Sequence, residues 1–206
     1  MKVLLLNGSP HEKGCTYTAL AEVAKALESD GVEAEIFWLG KAPIGGCLGC
    51  NACAKLGRCV IDDVVNAAAE KVRECDGLVV GSPVHYAAAS GQITAALDRL
   101  FYSAGRHLRL KPGAAVASAR RAGTTATLDQ LNKYFTINQM PVVSSRYWNM
   151  VHGTTPDEVR RDEEGLAVMR TLGHNMTWLL KSIEAGRAAG LEPPVQEPPV
   201  KTNFIR

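Results

Sequence analysis

The sequence predicts an α/β protein built on a doubly wound parallel sheet of five strands. Short apolar runs alternate with amphipathic stretches five times along the 206 residues, which is the pattern of strands joined by crossover helices. The runs at 3–6 and 78–80 are continuously apolar, as expected for strands that are buried on both faces. A hydrophobic content of 46% and a charged content of 21% suit one globular domain with an ample core.

Five strands and five helices follow from these patterns in chain order. The first helix is indicated by Leu20, Val23 and Leu27, whose spacing places them on one helical face. Asp62 or Asp63 can cap the second helix through a side-chain oxygen. The predicted strands cover residues 3–6, 33–39, 77–81, 114–119 and 141–144. The predicted helices cover residues 16–29, 62 or 63 to 74, 92–102, 125–138, and 155 or 157 to about 184.

The expected strand order is 2-1-3-4-5, the flavodoxin-like order of a five-stranded sheet. We predict one flavodoxin-like domain over residues 1–190, with a Cys-rich insertion at 40–61 after the second strand. The tail at 191–206 contains two Pro-Pro pairs, which predict an extended chain. We expect this tail to pack against the body or against a neighbouring subunit.

Composition and charge exclude several classes of partner. The net charge of +2 is too close to neutral to favour nucleic acid or an anionic membrane. The sequence has no apolar run that approaches the roughly 18 residues needed to span a bilayer, and the apolar start turns polar at Asn7, unlike a signal peptide. Six cysteines without a secretory signal predict a cytoplasmic protein whose thiols bind metal or do redox chemistry.

Four cysteines lie within thirteen residues in the spacing C-x2-C-x2-C-x5-C. This run is similar to the C-x2-C-x2-C-x3-C pattern of bacterial ferredoxins, and it favours a [4Fe-4S] cluster on Cys47, Cys50, Cys53 and Cys59. Two other interpretations stay open. The loop could be metal-free, with buried or disulfide-bonded thiols, or it could hold zinc, although structural zinc sites usually pair two separate knuckles.

The first loop, residues 8–15, follows the first strand and leads directly into a helix. In an open sheet of this order, ligands bind at the carboxyl ends of the strands, between strands 1 and 3. Backbone N–H groups at the helix start, with the hydroxyls of Ser9, Thr16 and Thr18, predict a phosphate site. The loop carries neither a Gly-Lys-Ser/Thr nor a G-x-G-x-x-G motif, so it favours a monophosphate such as that of FMN.

Two more loops should reach the same edge of the sheet. The second loop, residues 82–91, contains His85 and Tyr86 between a proline and a glycine, and it offers an aromatic wall for a flat ring. The third loop, residues 119–125, is rich in Gly and Thr and contains two arginines. Because the carboxyl ends of parallel strands meet at one edge, we expect all three loops to surround one ligand.

Three segments together resemble a known family: GSPHEKGCT at 8–16, GSPVHYAAASGQITAALDRL at 81–100 and ARRAGTTATLDQLNKYF at 119–135. They resemble the NADPH-dependent FMN reductase superfamily, and the cysteine run followed by VIDD at 60–63 looks like its iron–sulfur flavoprotein branch. The resemblance implies that the first loop binds the FMN phosphate, the second supports the isoalloxazine, and the third borders ring and phosphate. The implied contacts are Ser9, His11, Cys15, Thr16 and Thr18, then Pro83, Val84, His85 and Tyr86, then Arg120, Gly123 and Thr124.

We therefore predict an FMN-dependent oxidoreductase, an enzyme with NAD(P)H as electron donor that reduces quinone-like, azo or nitro compounds or free flavin. His85 and Tyr86 are the candidate catalytic residues because their loop should face the ring. The alternative is an electron carrier between redox proteins, an iron–sulfur flavoprotein without a small-molecule substrate; a third class is a non-catalytic flavin-binding module. The resemblance also implies a homodimer or homotetramer, in which an electron can cross between subunits.

Overall fold

The computed structural model describes residues 1–198, 200 and 202 of the chain. Its strands are β1 (Lys2–Asn7), β2 (Glu33–Trp38), β3 (Gly77–His85), β4 (Ala88–Ala89), β5 (Gly113–Ala119) and β6 (Met150–His152). Its helices are α1 (Cys15–Ser29), α2 (Cys53–Leu56), α3 (Val64–Glu74), α4 (Gly91–Ala104), α5 (Thr124–Ile137), α6 (Pro156–Arg161) and α7 (Glu163–Ala188). A short 3-10 helix, Gly105–His107, follows α4.

The five parallel strands lie in the order β2-β1-β3-β5-β6, and β4 pairs antiparallel with the end of β3. Counting only the parallel strands, this is the order 2-1-3-4-5 that the sequence predicts, so the predicted flavodoxin-like fold class is confirmed. The strand order reverses between β1 and β3, which makes their carboxyl ends the expected ligand position.

The central strand β1 is buried on both faces, as its continuous apolar run predicts. Leu4 and Leu6 belong to the apolar cluster formed with α3, α4 and α5, whereas Val3 and Leu5 belong to the cluster formed with α1 and α7. Successive side chains of a strand point to opposite faces. The sheet is therefore covered by helices on both sides, and functional groups must lie at its edges.

The predicted fifth strand at 141–144 is wrong. That segment contributes only an isolated bridge between Val142 and Gly113 in the described part of the chain, and the strand beside β5 is β6, in register from Ala117 to Met150. Pro141 has no N–H to donate to a ladder. The apolar run therefore touches the start of β5 and then leaves the sheet.

The predicted single helix from 155 or 157 to about 184 is two helices in the structure. Thr155 caps α6 by accepting the Glu158 N–H. Asp162 ends α6 and caps α7, where its carboxylate accepts the Gly165 N–H at 2.9 Å. A carboxylate is a strong N-cap. Asp162 therefore divides into two helices a segment whose apolar residues follow one helical period.

The described part of the tail has no helix or strand over residues 191–198. The Pro194 carbonyl accepts a hydrogen bond of 2.9 Å from Arg109, while Val195 is exposed. The predictions for residues 199, 201 and 203–206 lie outside the described residues. Among the helices described, none is long and apolar enough to cross a membrane.

Candidate functional site

Hydrogen bonds at the carboxyl edge of the sheet join the first loop to the second, and the start of α1 to the strand that leads into the third loop. The Gly8 N–H donates to the Gly81 carbonyl at 2.9 Å, and the Ser90 hydroxyl donates to the Gly8 carbonyl at 3.1 Å. The hydroxyls of Thr16 and Ser118 are hydrogen-bonded at 2.8 Å, which ties the start of α1 to β5. These contacts fix the three loops relative to one another before any ligand is bound.

The first loop is braced by Asn7, a buried residue that the sequence argument did not select. Its side-chain oxygen accepts the Ser9 N–H at 3.1 Å, and its amide nitrogen donates to the Glu12 carbonyl at 2.9 Å. The Ser9 hydroxyl accepts the His11 N–H, and the Trp38 indole donates to the Ser9 carbonyl at 2.8 Å. An Asn between a buried strand and a Gly-Ser-Pro turn was the available signal, because Asn favours such local bonds.

The start of α1 offers free amide groups to an anion. Its N-cap is Gly14, which makes no side-chain cap hydrogen bond, so the first-turn N–H groups of Cys15, Thr16 and Tyr17 have no capping side chain in the described structure. Such N–H groups and the positive end of the helix dipole together favour an anion. The backbone thus supplies what a phosphate needs at the predicted position.

The hydroxyls of two predicted ligands are turned toward the protein. The Thr16 hydroxyl, 1% exposed as a residue, is bonded to Ser118, and the Thr18 hydroxyl donates to the Gly14 carbonyl at 3.1 Å. In this structure both hydroxyls are thus hydrogen-bonded within the fold, and their contact with a phosphate stays a prediction.

Cys15 lies at the first turn of α1 and is half-buried. Its Sγ lies 3.7 Å from the Gly153 carbonyl, to which it donates. Burial raises the pKa of this thiol above its ordinary value of 9.0, because burial disfavours the charged form. Cys15 is therefore a neutral side chain, and its backbone N–H is the group available to an anion.

The second loop is largely a β-hairpin and not an irregular segment. β3 continues to His85, and Val84 pairs with Ala89 in β4. The two turn residues, Tyr86 and Ala87, have φ angles of 49° and 60°. Two consecutive positive φ values are typical of a type I′ turn, which favours Asn-Gly, so a Tyr-Ala turn holds both residues in a disfavoured conformation.

The hairpin separates the predicted second-loop residues into two groups. Pro83 and Val84 are half-buried on β3, whereas His85 and Tyr86 are exposed. Tyr86 is 107% exposed, more than in a reference peptide. The Tyr86 ring is therefore open to solvent in this structure, and its contact with a flavin ring stays a prediction.

The third loop packs against this hairpin through Gly123. That residue has φ +91°, and a Cβ there would lie 2.6 Å from Ala87 Cα and 2.8 Å from Val84 Cγ1. Only glycine satisfies both the left-handed conformation and the close approach. Arg120 is exposed beside it, and Thr124 begins α5 as a buried residue.

The insertion forms a separate cavity of about 240 Å³ on the outside of α4. All four predicted ligands line it, together with Arg99 and Tyr102: Cys47, Cys50, Cys53 and Cys59. The four thiols are free, with no disulfide among the described residues. The predicted disulfide alternative therefore has no support in this structure.

The four thiols line one cavity, but they do not converge as the ligands of a single ion would. Among the described residues, no three His, Cys, Asp or Glu side chains converge in a way that could hold one metal ion. A zinc ion needs its sulfur ligands about 2.3 Å from one point. All four cysteines line one cavity of about 240 Å³, and a [4Fe-4S] cluster on them stays a prediction.

The cysteine cavity lies some distance along α4 from the edge that carries the three loops. α4 begins at Gly91, next to the second loop, and Arg99 and Tyr102 line the cavity. Eight residues of helix separate Gly91 from Arg99, which is about 12 Å at 1.5 Å per residue. The insertion thus starts at the carboxyl edge, as predicted, but its thiols lie down the flank of the domain.

Arg99 is a buried residue at the cysteine cavity that the sequence argument did not select. It is 1% exposed and forms a bidentate ion pair with the Asp63 carboxylate, with both N–O distances at 2.7 Å. It also donates to the Gly45 carbonyl at 3.2 Å and to the Ile61 carbonyl at 2.9 Å. Its Nε–H donates to the Cys59 sulfur at 3.2 Å.

Asp63 links this arginine to α3, which it caps by accepting the Val65 N–H at 3.0 Å. Burial by itself would raise the pKa of Asp63, but hydrogen bonds from Arg99 and Val65 outweigh it and hold that pKa below its ordinary value of 3.8. The carboxylate is therefore charged at neutral pH. It balances the guanidinium charge beside the cysteine cavity.

Comparison with known proteins assigns the family. The family model of the NADPH-dependent FMN reductases matches residues 1–155. An iron–sulfur flavoprotein of Methanocaldococcus jannaschii is 33% identical over 192 residues, which cover 89% of this chain and 100% of that protein.

Two solved structures have the same fold at low sequence identity. A flavodoxin from the domain Archaea superposes with a TM-score of 0.60 at 15% identity, over 88% of this chain and 99% of that one. The NAD(P)H:quinone oxidoreductase of Methanothermobacter marburgensis superposes with a TM-score of 0.63 at 14% identity, over 85% of this chain and 96% of that one. The chain belongs to the NADPH-dependent FMN reductase family, in its iron–sulfur flavoprotein branch.

Proposed function

We propose that this protein is an FMN-dependent oxidoreductase that takes electrons from NAD(P)H and passes them to a quinone-like, azo or nitro compound, or to free flavin. The observation that carries the proposal is the uncapped start of α1 at the switch point of the sheet. The start of α1 is hydrogen-bonded there to Ser118, which precedes the third loop that would border the flavin ring. Family membership supports the cofactor, and the quinone reductase of similar fold supports the acceptor class.

FMN, when bound, accepts a hydride and can release its electrons one at a time. In the proposed site the first-turn amides of α1 hold the phosphate, assisted by groups of the first loop. The contacts proposed for the first loop are Ser9, His11, Cys15, Thr16 and Thr18. Those proposed for the ring and its border are Pro83, Val84, His85, Tyr86, Arg120, Gly123 and Thr124.

The exposed side chains of His85 and Tyr86 are proposed to touch the ring and to limit access of water and acceptor. Because Tyr86 makes no buried contact in the described chain, its replacement by Ala should leave the free energy of unfolding within about 0.5 kcal/mol. Turnover with a quinone acceptor should fall. If turnover and KM for the acceptor both match the unaltered enzyme, Tyr86 has no part in the site.

The cysteine insertion is proposed to hold a [4Fe-4S] cluster on Cys47, Cys50, Cys53 and Cys59. A cluster supplies one-electron transfer when bound. The support is the cavity lined by four free thiols and the similarity to an iron–sulfur flavoprotein of M. jannaschii. This protein's own contribution is to hold the thiols apart around the cavity.

The same insertion favours a homodimer or homotetramer. Leu48 is 69% exposed, Leu56 61% and Tyr102 69%, although Leu48 and Tyr102 line the cysteine cavity. Apolar side chains around a redox site are typical of a surface that another protein covers. Light scattering should give a multiple of the 22.1 kDa chain mass, and a monomer at working concentration would contradict this part of the proposal.

One specific observation favours a second candidate, an electron carrier between proteins. The cysteine cavity opens at the protein surface and lies down the flank of the domain, away from the proposed flavin edge. A carrier would therefore have a binding surface for a protein partner that is separate from the flavin site. In that case a redox protein, and not a small molecule, would be the acceptor.

The test measures NAD(P)H oxidation by the FMN-loaded, anaerobically purified chain with small-molecule and protein acceptors. The proposed enzyme oxidises NAD(P)H with a quinone; a carrier reduces only one-electron protein acceptors. Changing Cys50 to Ala should remove the broad iron–sulfur absorbance and the one-electron transfer, while FMN stays bound and quinone reduction survives. Cys75→Ala is the matched control, because Cys75 is buried in the core and outside the cavity. Absence of FMN binding by the unaltered chain would overturn the proposal.

A further inference from the structure

The Arg99 guanidinium has all five of its N–H groups engaged. Two go to the Asp63 carboxylate, two to the carbonyls of Gly45 and Ile61, and one, on Nε, to the Cys59 sulfur. A guanidinium has five donors in a fixed fork and no acceptor. The five contacts therefore fix the orientation of the guanidinium. The hydrogen bond to the Cys59 sulfur is one of these five contacts.

Arg99 belongs to the main body of the domain, whereas its partners belong to both ends of the insertion. It is on α4, and it holds Gly45, which precedes the first cysteine, and residues 59–63, which contain the last. One side chain thus closes the base of the cysteine loop. An ion pair between Arg99 and Asp63 could form without the hydrogen bonds to the Gly45 and Ile61 carbonyls and to the Cys59 sulfur. These additional bonds connect Arg99 to the cysteine loop.

Cys59 is held at both its backbone and its sulfur. Its N–H donates to the Asn66 side-chain oxygen at 3.0 Å, and its carbonyl accepts from the Asn66 amide nitrogen at 3.1 Å. With the backbone held by Asn66 and the sulfur held by Arg99, both ends of the residue are fixed. Cys47 and Cys50, by contrast, are exposed.

We propose that Arg99 is a positioning residue for the redox site: its Nε–H directs the Cys59 thiol into the cavity and, when a cluster is bound, donates to that ligand sulfur. The expected effect on the cluster rests on the proposed function. The expected effect on the order of the metal-free loop does not. Hydrogen bonds to ligand sulfurs raise the reduction potential of iron–sulfur clusters, and such outer partners orient the ligands they touch. Loss of the Nε donor should therefore lower the potential.

The test compares Arg99→Lys with Arg58→Lys. Lysine keeps the charge that pairs with Asp63 but cannot hold four partners in a fork. Arg58 is the matched control because it is in the same insertion and pairs with Asp62 across an exposed contact of 3.3 Å. Asp63→Asn is a third variant, which removes the carboxylate that orients the Arg99 guanidinium and serves if Arg99→Lys does not fold.

The first readout is hydrogen exchange of the metal-free chain, followed by mass spectrometry. We expect Arg99→Lys to raise amide exchange in segment 45–63 by about tenfold, with β1 and β3 unchanged, and Arg58→Lys to behave as the unaltered chain. Asp63→Asn should raise exchange in the same segment. Unchanged exchange in a folded Arg99→Lys, or in Asp63→Asn if the former is unfolded, overturns the proposal.

The second readout is the midpoint potential after anaerobic reconstitution with ferrous iron and sulfide. Arg99→Lys should have a lower potential and a smaller iron content at limiting iron than Arg58→Lys. If the loop opens but the potential and iron content are unchanged, Arg99 is only a structural anchor and the proposal fails. If the unaltered chain takes up no iron, the cluster in the proposed function fails instead, and the exchange measurement alone decides the role of Arg99.

Discussion

The hydrogen bond between Thr16 and Ser118 allows the two possible roles of the Thr16 hydroxyl to be separated. The O–O distance is 2.8 Å, and the two residues are 1% and 4% exposed. Thr16→Val removes the hydroxyl at nearly constant volume and leaves the Ser118 hydroxyl buried without its partner. A buried polar group left unpaired costs about 1–3 kcal/mol, and each kcal/mol lowers Tm by about 2–4 °C in a domain of this size.

A double-mutant cycle assigns the cost to the pair. Ser118→Ala should destabilise the FMN-free chain by a similar amount, because it leaves Thr16 unpaired. The double variant removes both partners, so it should be more stable than the sum of the single effects predicts, with a coupling of about 1 kcal/mol. Urea unfolding measures all four free energies.

FMN titration by flavin fluorescence then tests the ligand role. If the hydroxyl serves Ser118, Thr16→Val loses stability but keeps its FMN affinity, because the phosphate is bound by backbone N–H groups. If the hydroxyl turns to the phosphate, the FMN dissociation constant rises about tenfold or more, as loss of a charged hydrogen bond requires. Thr171→Val is the control, because its hydroxyl donates to the Ala167 carbonyl within α7, outside the three loops. Full stability in Thr16→Val, or simple additivity in the cycle, would refute the reasoning.

Two further predictions concern the hairpin contact and the response to acid. Gly123→Ala should destabilise the chain by more than Gly31→Ala in thermal unfolding, because both sites have positive φ but only Gly123 faces a neighbour within 4 Å; equal losses would remove the role of the contact. Hydrogen bonds from Lys2 and Lys71 lower the pKa of Glu35 below its ordinary value of 4.5. A lowered folded-state pKa stabilises the fold above the unfolded-state pKa, and that contribution is lost as pH falls through the folded-state value. Glu35→Gln should therefore be less stable than the unaltered chain at pH 7, with the difference disappearing in acid, and a difference that persists at pH 2 would contradict this.

The sheet could be predicted because its signals are local. The apolar run of β1 contributes side chains to both apolar clusters. The N-cap of α3, Asp63, is also evident from the sequence. β6 could not be predicted in the same way. The segment that begins at Pro141 has the composition of a strand, yet it is Met150–His152 that pairs with β5. Which of the two segments pairs with β5 depends on the position of β5 in the folded sheet.

The hairpin at the second loop was hidden by its turn residues. A type I′ turn is recognised from Asn-Gly or a similar pair, and Tyr86-Ala87 provides no such signal. Arg99 was hidden for a different reason. It lies in an ordinary helical pattern, LDRL, and its role depends on partners at positions 45 and 59–63 that only the fold brings to it. Long-range polar networks of this kind leave no periodicity in a sequence.

The positions of the two proposed redox sites constrain how electrons can move. The flavin edge lies at the start of α4, and the cysteine cavity lies beside Arg99 and Tyr102, about 12 Å further along that helix. The side chain of Tyr102 is exposed at the cavity. A cluster held there would be open to exchange with a second protein surface as well as with the proposed flavin edge of its own chain. If that surface is another copy of this chain, dilution to the monomer should slow electron transfer between cluster and FMN in each chain while leaving NAD(P)H oxidation with a quinone unchanged.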